Sequence, residues 1–539
     1  MSRQLAQSYK RHPVTEDYDA IVIGSGIGGL AAAAMMAKHG GRKVLVLERH
    51  YTPGGYTHAF HRPGYDWDVG VHYIGDVAPG STTRRVFDDI SDGRIEWADM
   101  GEVYDRVIID GDAYDLPKGR ANLRDMLVSR FPAEEAAIDA YFQAVKEAAS
   151  SSLPFQVAKT LPGPIQAESG PMMRRNFTRW AQRTTREVLE ELTADQRLIA
   201  VLTAQFGDYG LPPAQSSFAM HALLVHHYFR GGYYPVGGSG VIAESIIPVI
   251  ERTGGLVLIN AEVAEVVVEE GRAVGVRMAA DGRVIRAPIV ISDAGVLNTF
   301  GELLPRDVAE GAGLLTDLTR VAPSMAHLCL YLGFEETAEA LAMPRHNLWI
   351  YPNEDYEQTI EDSRTDPEAP LPMVYVSFPA AKDPDFERLH PGRSTVDVIT
   401  AAPYAWFEQW EGSRWKRRSA EYDAFKDRLA ERMMEALFEQ MPQLRGKVAF
   451  FEISTPLTTA HFAGYRRGEL YGIDHTPQRF DQDFLQPATP IPGLYLTGQD
   501  IVSCGVAGAM FGGVLTATTV LGGNLLAQMA SAAAGRVQG

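Results

Sequence analysis

Between Asp19 and Glu48 the apolar pattern changes rhythm twice. Asp19-Ala-Ile-Val-Ile23 is a short β-branched run of the kind that forms a buried strand. It leads directly into Gly24-Ser-Gly-Ile-Gly-Gly29 and an alanine-rich helical stretch, Leu30 to Lys38. A second apolar run, Lys43-Val-Leu-Val-Leu47, ends in Glu48. Further along, Gly237-Gly-Ser-Gly240 leads a predicted helix, Val241 to Arg252. Leu256–Asn260 and Val263–Val268 read as strands, and Gly275–Arg277 with Val284–Ala287 as a hairpin around Asp281-Gly282. Ile289-Val-Ile-Ser292 resumes a buried strand. Gly493-Leu-Tyr-Leu-Thr-Gly498-Gln-Asp500 reads as a strand ending in glycine and acid, followed by an uncharged helical run.

Strand, glycine turn, helix, strand and acid, in that order, are the parts of a dinucleotide site. Gly24 permits the tight turn, Gly26 lets the backbone approach a pyrophosphate, and Gly29 lets the helix pack close to the strand. The free N–H groups and positive dipole end of the helix, reached through Ser25 and Gly28, would hold the diphosphate. Glu48 can accept both ribose hydroxyls of an adenosine, and its charge would repel a 2′-phosphate.

The sequence after Glu48 separates FAD from NAD. Arg49-His-Tyr-Thr-Pro-Gly54-Gly55-Tyr-Thr57 places a second glycine doublet just past the ribose acid, which suits a chain doubling back along an extended cofactor. At the far end, Gly498 and Asp500 offer a bond to a ribityl chain, with the next helix start, at Val506, facing the second phosphate. An extended FAD explains both glycine-plus-acid sites. For Asp500 a helix cap is the alternative.

The sequence resembles the flavoprotein superfamily of phytoene desaturases, carotenoid isomerases and amine oxidases, and within it the retinol saturases. The resemblance is carried by Gly54–Phe60, Asp68-Val-Gly-Val-His-Tyr-Ile-Gly75, Tyr234–Gly238, Ser377-Phe-Pro-Ala-Ala-Lys-Asp-Pro384, Pro403–Trp410, Thr455–Thr458 and Gly498–Gly505. It implies an α/β fold in which a Rossmann-like FAD-binding domain, of glutathione-reductase or amine-oxidase type, carries an inserted α+β substrate domain. The FAD-binding domain is expected over residues 15–75, 232–300 and 446–530, and the substrate domain over 76–231 and 301–445. By the resemblance, Val263 would meet the adenine through its backbone.

Composition narrows the partners. Acidic residues outnumber basic ones by 68 to 50, a net charge of −18 that argues against nucleic acid. Two cysteines, Cys329 and Cys504, suit a reducing compartment. The polar N-terminus predicts no secretory leader, so a cytoplasmic protein, or one peripheral at a membrane, is expected. Ala20–Ala37 and the uncharged stretch from Ile501 to Gly535 are each long enough to cross a bilayer, which takes about 20 residues. Their clustered glycines weaken a free helix by roughly 1 kcal/mol each, so packing inside a nucleotide fold is the expectation.

Saturating a conjugated alkene needs a proton donor beside the flavin. By the resemblance His72 and Tyr73 lie there, with Lys382 and Tyr471 as further candidates; structural roles are the alternative for each. His221, His226 and His227, among Tyr228, Phe229, Tyr233 and Tyr234, would line an aromatic tunnel or fill a packed core. No metal site is expected from them, or from His58 and His61, because no carboxylate or cysteine completes a set. Arg175, Arg179, Arg183 and Arg186 fall at helical spacing, which suits docking on an anionic membrane or a solvated face. The implied activity is FAD-dependent reduction of a double bond in a polyene lipid, retinoid or carotenoid, with NAD(P)H or a quinone as external donor. Desaturation, cis–trans isomerisation and action on fatty acyl chains are alternatives, as is a non-catalytic lipid or prenyl-protein carrier. The oligomeric state is not legible.

Overall fold

The β-branched runs pair into a parallel sheet. The computed structural model describes residues 6–523 and residue 525. Six strands, all parallel, lie in the order Gln7–Ser8, Leu256–Ile259, Val44–Leu47, Ala20–Ile23, Val290–Ser292 and Leu494–Leu496. Both faces are covered, as the unbroken apolar runs require. Ala20, Val22, Val44 and Val46 join a core with the helices Ile27–Gly40, Val241–Glu251 and Gly505–Leu521. Ile21, Ile23, Leu45 and Leu47 join a second core, beneath the antiparallel sheet Val263–Glu269, Arg272–Met278 and Val284–Arg286.

A seven-stranded sheet forms the other half. Its order is Val448–Ser454, His327–Phe334, Ser394–Ala401, Val374–Ser377, Asn347–Tyr351, Val103–Ile109 and Asp112–Pro117. Leu328, Leu330, Val396 and Val398 pack on the helix Ala420–Gln440. Trp349, Tyr351 and Tyr375 belong to the opposite core, shared with helices that contribute Tyr141, Phe142, Phe177 and Phe218.

Several boundaries differ from expectation. Val448–Ser454 pairs with His327–Phe334, so the chain returns to the parallel sheet later than residue 446. Val77, Val86, Phe87 and Ile90 pack with the parallel sheet's helices, and Leu304, Ala309 and Leu314 with its other face, because both segments expose an apolar stripe that only this sheet can cover. Residues 524 and 526–530 of the expected range lie outside the described residues, as does the uncharged stretch beyond Leu525. Among the described residues no helix is long and apolar enough to cross a membrane.

The helices Ile27–Gly40 and Gly505–Leu521 cross with backbone nearly touching backbone. A Cβ on Gly28 would stand 2.5 Å from the Cα of Gly498, and one on Gly513 would collide with the carbonyl of Gly28 and stand 2.7 Å from the Cβ of Ala31. Gly513→Val therefore overpacks the crossing, at about 1–3 kcal/mol. The expected result is an earlier urea unfolding midpoint than the parent; coincident midpoints would refute the contact.

Candidate active site

The predicted nucleotide residues form one hydrogen-bonded unit. Glu48 closes its strand and is 7% exposed. Its Oε2 accepts the Ser25 N–H at 2.9 Å and the Ser25 hydroxyl at 2.6 Å, and its Oε1 accepts the His50 N–H at 2.7 Å. The Ser25 hydroxyl oxygen accepts the Gly54 N–H at 3.0 Å, which clips the second glycine segment onto the first. Gly54 and Gly55 both adopt positive φ, +119° and +55°, where a side chain would strain the backbone. The Thr57 hydroxyl closes this turn on the Gly54 carbonyl at 2.8 Å. Arg49 pairs with Glu262 at 3.7 Å, and Val263 begins the strand beside it.

Two further acids stand at strand ends. Asp500 accepts the N–H of Val296 at 2.8 Å and of Ile473 at 3.2 Å, so it holds other segments and not the helix that follows it. Asp293, directly after Val290–Ser292, was not anticipated. Its carboxyl accepts the Gly26 and Gly29 N–H groups, and burial, reinforced by the charges of Glu48 and Asp500, pushes it up to about 7. It occupies the space beside Gly26, where a Cβ would lie 2.5 Å from its Oδ2. The signal was present: an acid ending a buried parallel strand, as at Glu48, marks the carboxyl edge where such sheets bind ligands.

A cavity of about 1350 Å³ connects these groups to the seven-stranded sheet. Its wall includes Gly24, Ser25, Gly26, Gly28, Glu48, Arg49, Gly54, Gly55, Thr57, Val263, Gly498, Asp500 and Val506, and also His72 and Tyr471. Gly29 lies behind the wall, where a Cβ would meet the Gly24 carbonyl at 2.6 Å. Beyond the nucleotide groups one part of the wall is apolar, with Met325, Trp349, Met373, Tyr375, Ile399 and Leu470, and another carries charged groups such as Arg418, Lys426 and Glu452.

The four catalytic candidates separate. His72 borders the cavity with Nδ1 3.4 Å from Asp397 Oδ2, and burial, with the nearby Lys382 charge, pushes it down to about 3, so the imidazole is neutral. Lys382 is 3% exposed and lies outside the wall. Its ammonium donates to the His72 carbonyl at 2.9 Å, to Ser377 Oγ at 2.7 Å and to Asn347 Oδ1, and burial pushes it down to about 7. It braces the His72 backbone. The Tyr471 hydroxyl donates to the Gly207 carbonyl at 2.8 Å. Tyr73 is also outside the wall; it stacks on Tyr228 with centroids 4.5 Å apart and places its hydroxyl between Asp105 and Asp208. Asp208, which the sequence did not single out, borders the cavity.

The structure decides between the tunnel and core readings of the histidines, and it splits the arginine stripe. His221 is buried with Nε2 2.9 Å from the Tyr141 hydroxyl, and His227 Nε2 accepts the Gly75 N–H at 2.8 Å. Tyr228 and Phe229 pack in the core, His226 is exposed, and none of these residues borders the cavity. The arginines do not share one helix. Gly163–Ala181 carries Arg175 and Arg179, whereas Arg183 pairs with Glu191, and Arg186 with Glu357, around a new helix capped by Thr184.

The model of the family described as flavin containing amine oxidoreductase matches residues 27–521. The chain belongs to that family. It is 37% identical to the all-trans-retinol 13,14-reductase of Danio rerio over 97% of this chain and 89% of that protein. It is 29% identical to prolycopene isomerase 1 of an Oncidium hybrid cultivar, over 94% and 84%. Among solved structures, cyclohexylamine oxidase from Brevibacterium oxydans shares the fold, with a TM-score of 0.58 at 17% identity over 96% of this chain and 99% of that one. The family fold thus puts a flavoprotein's dinucleotide sheet under the cavity.

Asp293 yields a test of the electrostatics. Its folded pKa lies above the unfolded value of about 3.9, so its stabilising effect is complete below pH 4 and is lost as pH rises through about 7. Asn keeps an acceptor and removes the titration. Urea unfolding at pH 5 and pH 8 should show a smaller loss for Asp293→Asn than for the parent, by a few kcal/mol at most; parallel losses would contradict the assignment.

Proposed function

We propose that this chain is an FAD-dependent oxidoreductase that reduces one carbon–carbon double bond of a conjugated polyene lipid of the retinoid or carotenoid class. The observation that carries this reading is the single cavity that joins a dinucleotide cradle to an apolar, aromatic chamber. At about 1350 Å³ it exceeds the ~300–1,000 Å³ of a typical one-ligand pocket, so it has room for a cofactor and a second molecule. Likeness to retinol reductases at 37% identity supports saturation. Likeness to prolycopene isomerases at 28–29% favours isomerisation as the second reading, in the same chamber.

The residues present fit FAD. Glu48 would take the adenosine ribose, the Val263 backbone the adenine, and the unpaired first N–H groups of the helix, at Ile27 and Gly28, the diphosphate. Asp500, Gly498 and the helix start at Val506 would flank the ribityl end. A protonated Asp293 would sit by the diphosphate without adding charge. When bound, the flavin supplies hydride transfer. The chain's own part is to orient the polyene against the sheet face of Trp349, Tyr375 and Ile399, and to exclude water. The electrons come from an external donor, NAD(P)H or a quinone.

Delivery of such a lipid would use a membrane contact. Leu153, Ile165 and Met172 are large apolar side chains exposed by 56%, 50% and 76%, and Arg175 and Arg179 lie exposed on the Ile165–Met172 helix. This clustering suits an anionic bilayer surface. Replacing Ile165 and Met172 by Asp should reduce cosedimentation with phosphatidylserine vesicles by roughly tenfold or more, given the apolar burial lost. Unchanged cosedimentation would remove the contact.

The activity is tested by photoreducing the flavin-loaded protein without oxygen and offering retinoids, carotenoids and unsaturated fatty acids. A polyene should reoxidise the flavin and gain two hydrogens. Reoxidation by a fatty acid alone, or a polyene isomerised without gaining hydrogen, would replace this reading.

A further inference from the structure

Asp208 lies on the tight turn Phe206–Asp208, and its backbone carbonyl accepts the Cys504 thiol at 3.4 Å. That contact ties the turn to the segment between Asp500 and the helix Gly505–Leu521. The residue is partly accessible, and the surface it presents borders the cavity with Gly207, Met325 and Tyr471.

Hydrogen counting locates a proton here. The Tyr73 hydroxyl oxygen is 2.9 Å from Asp105 Oδ2 and 2.8 Å from Asp208 Oδ2. A phenol has one hydrogen, so both contacts are hydrogen bonds only if one carboxyl supplies a second. Asp105 is fully buried and already accepts three obligate donors: Gln205 Nε2 at 2.7 Å, Asn347 Nδ2 at 2.8 Å and Trp349 Nε1 at 3.1 Å. Burial pushes Asp105 up to about 6, but these donors oppose it and leave Asp105 the more acidic of the two carboxyls. Asp208 has Tyr73 as its side-chain partner among the described residues, so the proton resides on Asp208. Burial and the Asp105 charge agree, pushing Asp208 up to about 8.

Resting on the polyene reading above, we propose that Asp208 is the general acid of this site, protonating the alkene carbon next to the one that receives hydride, with Tyr73 as its positioning residue. A bound reduced flavin would supply the hydride and its two electrons. The alkene π pair forms the second C–H bond with the Asp208 proton, whose O–H bond breaks and leaves the carboxylate. In the resting site that proton lies on Oδ2, donated to the Tyr73 oxygen, while Tyr73 donates to Asp105. For transfer the Asp208 O–H turns from Tyr73 to the cavity, and the Tyr73 hydroxyl then donates to the carboxylate that remains. Asp105 keeps its three other donors throughout. A solvent proton then restores the acid.

Two measurements on the flavin-loaded protein test this. In the first, photoreduced Asp208→Asn is mixed with a polyene that reoxidises the parent. It should keep its flavin and its photoreduction but transfer to the polyene ~100-fold or more slowly, the usual contribution of a general acid. In the second, infrared spectra at neutral pH should show a deuterium-sensitive protonated-carboxyl band in the parent that is missing from Asp208→Asn; in Tyr73→Phe the band should persist at a shifted frequency. The parent-minus-variant difference isolates Asp208 from other protonated carboxyls. A parental transfer rate in Asp208→Asn, or coincident carboxyl spectra, overturns the proposal. A parent that no polyene reoxidises overturns the substrate class and with it this proton's acceptor, while the spectra still report whether the acid exists. Should Asp208→Asn not fold, the parent's own carboxyl band and its shift in Tyr73→Phe decide.

Discussion

Everything in this molecule converges on a place where backbone rests on backbone. Gly28 meets Gly498, and Gly513 of the last described helix sits over the Gly28 carbonyl. Interiors are packed like crystals, so a helix can come this close to a strand end only where side chains are absent. The closeness brings the first glycine turn, the Gly498–Asp500 loop and Asp293 into one small volume. The far wall of the cavity, on the seven-stranded sheet, is then placed relative to that point by segments that run from one sheet to the other.

Three acids at the ends of parallel strands illustrate how environment separates chemically identical groups. Glu48 has three donors and Asp500 has two backbone N–H groups. Asp293 accepts two N–H groups as well, but it sits between the other two acids and titrates near neutrality. A like contrast recurs around Tyr73, where Asp105 gathers donors and Asp208 is left with one phenol. At Asp293 burial and the neighbouring charges outweigh its two donors.

Local chemistry made the nucleotide half legible in the amino-acid sequence. The βαβ unit, the Asp281-Gly282 hairpin and the Glu48 acid all follow from period, turn residues and spacing, and each lies within a short stretch. The substrate half was less legible because its polar cluster is assembled across strands. Asn347 stands opposite Asp105 from a segment far away in sequence, and Ser377 stands opposite Asp397 on the neighbouring strand. Nothing near Asp208 marks it as a partner of Tyr73, since 135 positions separate them. The expected boundary at residue 446 missed the Val448–Ser454 strand for a related reason: its pairing with His327–Phe334 reaches across more than a hundred residues. The histidines of Phe218–Tyr228 read equally as tunnel or core because burial and cavity lining have the same signature in one dimension.

The parallel sheet also imposes an order of events on biosynthesis. Ala20–Ile23 pairs with Val290–Ser292, which in turn pairs with Leu494–Leu496. Ala20–Ile23 thus leaves the ribosome long before Val290–Ser292, and Leu494–Leu496 later still. Until then the nascent chain presents an unsatisfied strand edge and the apolar face of the Ile27–Gly40 helix, which is the condition under which folding chains recruit chaperones or aggregate. A sheet threaded this way delays cofactor capture: Asp500, the second acid that flanks the cleft, is synthesised long after Glu48.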